Sequence, residues 1–400
     1  MLQLAGKLIR LEGLKPSAQS QYFRISTNAA LPIPLARDAA FMCTGKTPSP
    51  PGYALYLAIE GTESTLESAP ADTARGVLPA HANYLSDGDI LRVAPTAGTY
   101  RVVFRRSTQS QSILLTERCS HYCLMCSQPP RQRQDDWLID EAERLIPLLP
   151  QDTRELGFTG GEPTIYGERL INLLLLTDRL LPRTSVHLLS NGRRFADTRF
   201  AEAYANIQHH DLMVGIPLYS DDSSLHNFVV QSDGAFDQTI AGILNLKRLR
   251  QRVEIRVVIH AHTIKRLPKL AEFIARNLLF VDQVALMGLE IAGFTKSNLN
   301  TLWIDPYVYR HVLEEAVETL AAYRVPIKVY NHQLCVVTPR VREFCVKSIS
   351  DWKNEYLPQC SECALRASCG GFFSSQVQFR HSDHIVPELP IRVPFGEAAP

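Results

Sequence analysis

From residue 112 the chain repeats strand, loop and helix, and this alternation constrains its fold more than any other feature. Short apolar runs at Ser112–Thr116, Glu155–Thr159, Val186–Leu189, Leu212–Tyr219, Val253–Ile259 and Val281–Leu289 read as strands. Helices are expected near 139–149, 168–181, 235–250, 267–279 and 306–323. Strands alternating with helices imply right-handed βαβ units on a parallel sheet. Six units fall short of the eight that close a (β/α)8 barrel, so the expected fold is α/β with an open, partial (β/α)6 barrel.

The flanks read differently. Tyr22–Ser26, Tyr53–Leu57 and Tyr100–Phe104 look like short strands, separated by turn-rich stretches such as Thr47–Gly52 and Ser86–Asp89. The expected division is a mostly-β domain over 1–108, the barrel over 109–325, a Cys-rich segment over 326–385 and a proline-rich tail over 386–400. With 45% apolar and 21% charged residues, disorder of the whole chain is excluded. Lys and Arg number 42 against 41 Asp and Glu, a net charge of +1 that argues against coating nucleic acid or an anionic membrane. The greasiest run, Ile171–Leu181, is broken by Asn172, Thr177, Asp178 and Arg179, so no membrane span is expected. Lys7, Arg10 and Glu12 interrupt any signal-peptide core, and the expected setting is the cytoplasm.

Nine cysteines in a reducing compartment need an explanation other than disulfides. Cys119, Cys123 and Cys126 form one cluster, and Cys335, Cys345, Cys360, Cys363 and Cys369 a second. Such groupings read as metal or iron–sulfur ligands, whereas the isolated Cys43 reads as a small buried apolar residue. Cys119, Cys123 and Cys126 have spacing C-x3-C-x2-C directly after the first expected strand. Three thiolates on one loop can hold three irons of a cubane and leave the fourth without a protein ligand. A zinc site completed by His121 is the alternative. Gly160-Gly161-Glu162-Pro163 ends the second strand, and Ser190-Asn191-Gly192 ends the third.

In these residues the sequence resembles the radical SAM enzymes, whose C-x3-C-x2-C loop follows the first strand of a partial (β/α)6 barrel and whose GGE motif ends the second. Met125 stands where that family usually has an aromatic residue. The resemblance implies that Cys119, Cys123 and Cys126 hold a [4Fe–4S] cluster whose free iron chelates S-adenosylmethionine. One electron then cleaves the S–C5′ bond to give methionine and a 5′-deoxyadenosyl radical. Gly160, Gly161 and Glu162, with Ser190, Asn191 and Ser220, are the expected cofactor-binding residues. Beyond the cluster, no catalytic residue is assigned.

The run Cys360-x2-Cys363-x5-Cys369 resembles the auxiliary-cluster modules of the SPASM and twitch type. No cysteine follows Cys369, so one auxiliary [4Fe–4S] cluster is expected, with Cys345 ahead of Cys335 as the fourth ligand. A zinc knuckle is the alternative there.

A closer resemblance rests on Asp87–Ser107, Thr116–Cys119, Cys123–Pro130, Gly157–Pro163, Leu189–Gly192 and Gly215–Asp222. These runs are similar to the His-Xaa-Ser system radical SAM maturases, specifically the "C" component, over residues 85 to 375. That family implies a small protein substrate with His-Xaa-Ser repeats, a sister radical SAM maturase and an electron donor of the flavodoxin or ferredoxin type. The competing readings are a radical SAM enzyme acting on a small molecule, and a non-catalytic iron–sulfur or zinc protein.

His209, His210, His260 and His262 read as ordinary surface or packed histidines. Tyr219–Ser224 reads either as substrate-contacting or as a polar run capping the next helix. Arg131 and Arg133 are candidates for binding an anionic substrate, and Arg256 is read as solvated or paired.

Overall fold

A computed structural model describes residues 3–17, 19–45, 48–108, 110–347 and 354–389. Most of the expected proline-rich tail, 390–400, lies outside these described residues. The chain divides into two compact units, one of Met1–Gln111 with Glu143–Glu155 and one of Ser112–Ala142 with Leu156–Pro400. Among the described residues no helix is long and apolar enough to cross a membrane.

The first unit is built on eight strands, β1 (Ala5–Lys7), β2 (Arg10–Glu12), β3 (Gln21–Ser26), β4 (Ala39–Met42), β5 (Leu55–Ile59), β6 (Arg75–Leu78), β7 (Ile90–Ala94) and β8 (Thr99–Phe104). Their order is β1-β8-β7-β3-β4-β5-β6-β2. One continuous segment supplies both ends of this order, because β1 pairs with β8 and β2 with β6. Between them, Leu8 N donates to Gly98 O and Ile9 N to Val77 O, each at 2.8 Å. The sheet thereby closes on itself. Phe23, Ile25, Leu55, Leu57, Leu91 and Val93 belong to one core cluster. Phe41, Tyr53, Tyr56 and Leu66 form a second, with the Phe41 and Tyr53 rings 5.1 Å apart. Burial on both faces suits the parallel pairing of β3 with β4, β4 with β5 and β5 with β6.

The second unit has the expected α/β partial barrel. Its strands are β9 (Ser110–Leu114), β10 (Glu155–Thr159), β11 (Ser185–Leu189), β12 (Leu212–Pro217), β13 (Arg252–Val258), β14 (Gln283–Met287) and β15 (Ile327–Tyr330), in the order β15-β14-β13-β12-β11-β10-β9. The pairs from β11 through β15 are parallel. Six of these strands overlap the expected runs. The seventh, β15, was not expected; it is four residues long and follows the helix Pro306–Ala322.

Two further helices, Thr198–Ala205 and Ser223–Val230, also lay outside the expectation. The Asp222 carboxylate accepts from Leu225 N at 2.8 Å at the start of the second. The polar run Tyr219–Ser224 therefore caps a helix, the plainer of its two readings.

Candidate functional site at the ends of the barrel strands

The cysteine loop leaves β9 through Leu115 and Thr116 and is anchored at its root by Asp135, which is fully buried. This carboxylate accepts from Thr116 Oγ1 at 3.0 Å, from Glu117 N at 2.5 Å and from Arg118 Nε at 3.0 Å. Burial pushes the Asp135 carboxyl up, but the Glu117 N–H, the Thr116 hydroxyl and Arg118 together hold it below its ordinary value. Arg131 and Arg133 fold back onto Glu117 at 3.7 and 2.5 Å, so both cations serve the loop's own acid.

Within the loop, Cys126 N donates to Cys123 O at 3.0 Å and His121 N reaches Cys119 Sγ at 3.4 Å. The backbone is tied outward as well, with Tyr122 N donating to Val230 O and Leu124 N to Val229 O. Asn298 Nδ2 donates to Leu124 O at 2.9 Å and Thr295 Oγ1 to Met125 O at 3.1 Å. Phe294 N reaches Cys126 O at 2.8 Å. Gly293 permits that approach, since a Cβ there would stand 2.3 Å from Cys126 O.

Burial raises the Cys119 thiol to about 12, with Glu162 and Cys126 adding to the rise. Burial also raises Cys123, reinforced by Cys126 and Cys119. Three partly buried thiols that oppose one another's ionisation become thiolates when a positive group sits among them, and the donor set suits an iron–sulfur cluster. Among the described residues no group of three or more His, Cys, Asp or Glu is arranged around a single metal ion. A cubane asks for a different arrangement, with each thiolate on a separate iron. His121 is buried, and burial, then Arg193 and His226, pull its imidazole down to about 3.

Gly160 and Gly161 pack against this loop. A Cβ on Gly160 would stand 2.7 Å from Thr116 O, and one on Gly161 only 2.1 Å from Arg118 O. Glycine is required here because the chain's own backbone comes so close; Gly161 N donates to Thr116 O and Glu162 N to Arg118 O, both at 2.8 Å.

Glu162 is a buried hub. Its carboxylate accepts from Thr164 N at 3.0 Å, Thr164 Oγ1 at 2.6 Å, Ser190 Oγ at 2.8 Å and Asn191 N at 2.6 Å. Burial pushes this carboxyl above its ordinary value, and the four donors offset only part of that rise. Asn191 continues the network, its Nδ2 donating to Ser120 Oγ at 3.1 Å. Thus Glu162, Ser190 and Asn191 form one connected wall reaching the cysteine loop. Ser220 stands apart from it: fully buried, it accepts from Asp222 N at 3.0 Å.

A second polar group lies on β11 to β14. Glu254, 1% exposed, meets Arg256 at 2.6 Å and stands 3.3 Å from His187 Nε2, with Gln283 donating to it as well. Burial pushes the Glu254 carboxyl up, but His187 and Arg256 outweigh it and hold the group at about 2. Gly215 makes the room, because a Cβ there would meet Arg256 Cδ and His187 Nε2 at 2.8 Å. Arg256 is thus paired, and it also lowers the buried Tyr219 phenol, which burial and then Cys123 and Cys126 raise. The charges of Glu254 and Arg256, alternating with apolar Val253, Ile255 and Val257, were the sequence signal for this group. Asp135 had none, and Tyr219 stood out only as the first residue of the polar run Tyr219–Ser224.

In the Cys-rich segment, Cys335, Cys360, Cys363 and Cys369 line one cavity with Tyr356 and Arg366. Tyr356 Oη donates to Cys369 O at 2.7 Å, and Gly371 N reaches Cys369 Sγ at 3.4 Å. Cys345 is not among the lining residues, although burial and then Cys369 raise its thiol to about 12. Cys43 is buried in the first unit. His260 is fully buried while its neighbour His262 is exposed, and the His209 and His210 rings lie 4.9 Å apart.

Residues 113–274 match the family model described as the radical SAM superfamily. GTP 3',8-cyclase 2 of Mycobacterium bovis is 33% identical over 125 residues, covering 29% of this chain and 34% of that protein. The same enzyme of Mycobacterium tuberculosis matches equally, so the chain spans about a third of the length of the curated relatives it matches. Among solved structures, SuiB of Streptococcus suis bound to S-adenosylmethionine aligns with TM-score 0.45 and 16% identity over 57% of this chain and 51% of that one. The enzyme anSMEcpe with bound AdoMet and a peptide aligns with TM-score 0.42 and 17% identity over 54% and 63%. Residues 113–274, the segment that carries the cysteine loop and the GGE turn, are thus similar to the radical SAM superfamily.

Proposed function

We propose that this protein is a radical SAM maturase that modifies a peptide or small protein, with a His-Xaa-Ser repeat protein as its substrate and a sister radical SAM maturase as its partner. The observation that carries the radical reading is the junction of the cysteine loop with the Gly160-Gly161 turn, where the backbones meet too closely for any side chain. In this reading Cys119, Cys123 and Cys126 hold the cluster. Gly160, Gly161, Glu162, Ser190, Asn191 and Ser220 belong to the adjoining cofactor site. Cluster and S-adenosylmethionine together supply one-electron reductive cleavage of the sulfonium. The chain's own residues orient and exclude water: Asp135 fixes the loop root, Glu162 locks two strand ends together, and Tyr219 belongs to the buried apolar cluster against which Cys123 packs.

The Cys-rich segment is proposed to hold an auxiliary [4Fe–4S] cluster on Cys335, Cys360, Cys363 and Cys369, which share one cavity. Cys345 is the alternative fourth ligand. A protein substrate is favoured by the motif runs at Thr116–Cys119, Cys123–Pro130 and Gly215–Asp222 together with this second thiol group. The likeness to a GTP 3',8-cyclase supports the alternative, a small-molecule substrate. The nine free cysteines suit a reducing, cytoplasmic setting and an electron donor of the flavodoxin or ferredoxin type.

The test is to reduce the anaerobically reconstituted protein with dithionite, add S-adenosylmethionine and a His-Xaa-Ser repeat peptide, and follow products by mass spectrometry. 5′-Deoxyadenosine together with a mass change in the peptide supports the reading. 5′-Deoxyadenosine with an unmodified peptide removes this substrate, and no 5′-deoxyadenosine removes the radical reading.

A further inference from the structure

We infer that residues 382–389 form a strap that closes over the auxiliary thiol site and holds Cys335 within it. The inference rests on the cluster reading of the Cys-rich segment given above. The stretch reads Ser-Asp-His-Ile-Val-Pro-Glu-Leu and crosses the expected border between the Cys-rich segment and the proline-rich tail. Pro387 biases Val386 toward extended backbone, so less conformational freedom is lost when the segment lies down. An extended chain turns alternate side chains to opposite sides. Ile385 and Pro387 accordingly line the cavity shared by Cys335, Cys360, Cys363 and Cys369, while Val386 and Glu388 are exposed.

Both ends of this apolar cover are fastened. At one end Ser382 is buried, and its Oγ accepts from His384 N at 3.1 Å. The His384 ring stacks on Tyr307, with centroids 4.0 Å apart and planes 4° from parallel. Its Nδ1 lies 3.4 Å from Asp305 Oδ2. Asp305 caps the helix Pro306–Ala322, accepting from Tyr307 N at 2.9 Å, so this end of the strap is tied to the barrel.

At the other end, Glu388 O accepts from Ala364 N at 2.7 Å, one residue past Cys363. The Glu388 carboxylate meets Arg342 at 2.8 Å, and Arg342 Nε donates to Leu334 O at 3.0 Å, one residue before Cys335. Glu388 is thereby linked to the backbone beside two of the four thiols. Between the two fastenings, the Val386 backbone hydrogen-bonds the Cys335 thiol.

Hydrogen bonds to sulfur and exclusion of solvent are two means by which a protein tunes an iron–sulfur cluster, and the strap supplies both. It also makes access to the site depend on local opening. A segment whose side-chain fastenings are one ring stack and one partly exposed ion pair lets go far more often than the barrel unfolds.

The test follows metal release, so its outcome stands apart from that of the radical reaction. The full chain carrying Cys119→Ala/Cys123→Ala/Cys126→Ala is reconstituted anaerobically, which leaves only the auxiliary site to be filled. After reduction with dithionite, iron captured by bathophenanthroline disulfonate is timed by absorbance. Release is expected to quicken at least about tenfold when His384→Ala and Glu388→Gln are added, because the opened strap becomes more populated. His384→Phe, which keeps the ring stack on Tyr307, is expected to release iron more slowly than His384→Ala. Release at the parent's rate in His384→Ala and in the double variant overturns the strap. A parent that takes zinc and no iron overturns the cluster reading alone; the same variants are then timed with a zinc-binding dye, and the same outcomes decide the strap. A parent that takes neither metal overturns both.

Discussion

The Glu162 carboxyl accepts the backbone N–H of Asn191 at 2.6 Å, so the turns that follow β10 and β11 share one buried side chain. The same carboxylate takes the Ser190 hydroxyl, and Asn191 passes the connection on to Ser120 in the cysteine loop. Glu162 acts here as the fixed point of a wall, its oxygens already filled by the chain's own donors.

Glu162→Gln is expected to destabilise the protein by about 2 kcal/mol, because an amide NH2 must face donors that now point at an oxygen. Thermal unfolding measures this directly. The account also expects weaker binding of S-adenosylmethionine to the reconstituted variant by equilibrium dialysis. Wild-type stability in Glu162→Gln contradicts the hub.

Gly161→Ala places a methyl group where Arg118 O now sits, 2.1 Å from the ideal Cβ position. The cysteine loop has to move, and the expected result is a folded chain with less iron after anaerobic reconstitution. Gly167→Ala is a control for general strain, since its φ of +52° is also unfavourable for alanine but no atom lies within 4 Å of its added Cβ. Full iron loading in Gly161→Ala contradicts the packing argument.

Glu254 gives a pH dependence with a definite sign. Its folded value of about 2 lies below the ordinary 4.5, so its stabilising contribution is present above pH 4.5 and is lost as pH falls toward 2. The contribution is on the order of 3 kcal/mol. Between about pH 5 and pH 3, Glu254→Gln is expected to lose less stability on acidification than the wild type. Parallel pH profiles for the two proteins contradict this assignment.

The second thiol group yields a direct comparison. Cys335→Ala is expected to lower the iron content of the Cys-rich segment, while Cys345→Ala leaves most of it in place. The reverse order restores Cys345 as ligand. Iron unaffected by either change, with zinc present instead, identifies a zinc knuckle.

How far the sequence reached follows from how local each feature is. β10 was legible because Glu155–Thr159 is a compact apolar run ending at two glycines. β15 was not, since Ile327–Tyr330 is four residues held by pairing with β14 on one side and by a single bridge from Val329 to Cys345 on the other. Closure of the first sheet depends on residues 5–12 meeting β8 and β6, contacts 63 to 96 positions away that no local pattern encodes. The cysteine spacing announced the loop, yet nothing in it pointed to Asp135, which becomes important only once Thr116, Glu117 and Arg118 converge on it. Likewise, the choice between Cys335 and Cys345 turns on which thiol the folded segment brings to the cavity.

The most direct test is iron and sulfide per chain after anaerobic reconstitution, in the wild type and in Cys119→Ala/Cys123→Ala/Cys126→Ala. The account predicts about eight irons falling to about four, one cubane for each thiol group. About four falling to near zero keeps the radical site and removes the auxiliary cluster. Iron that does not respond to the triple substitution contradicts the central claim.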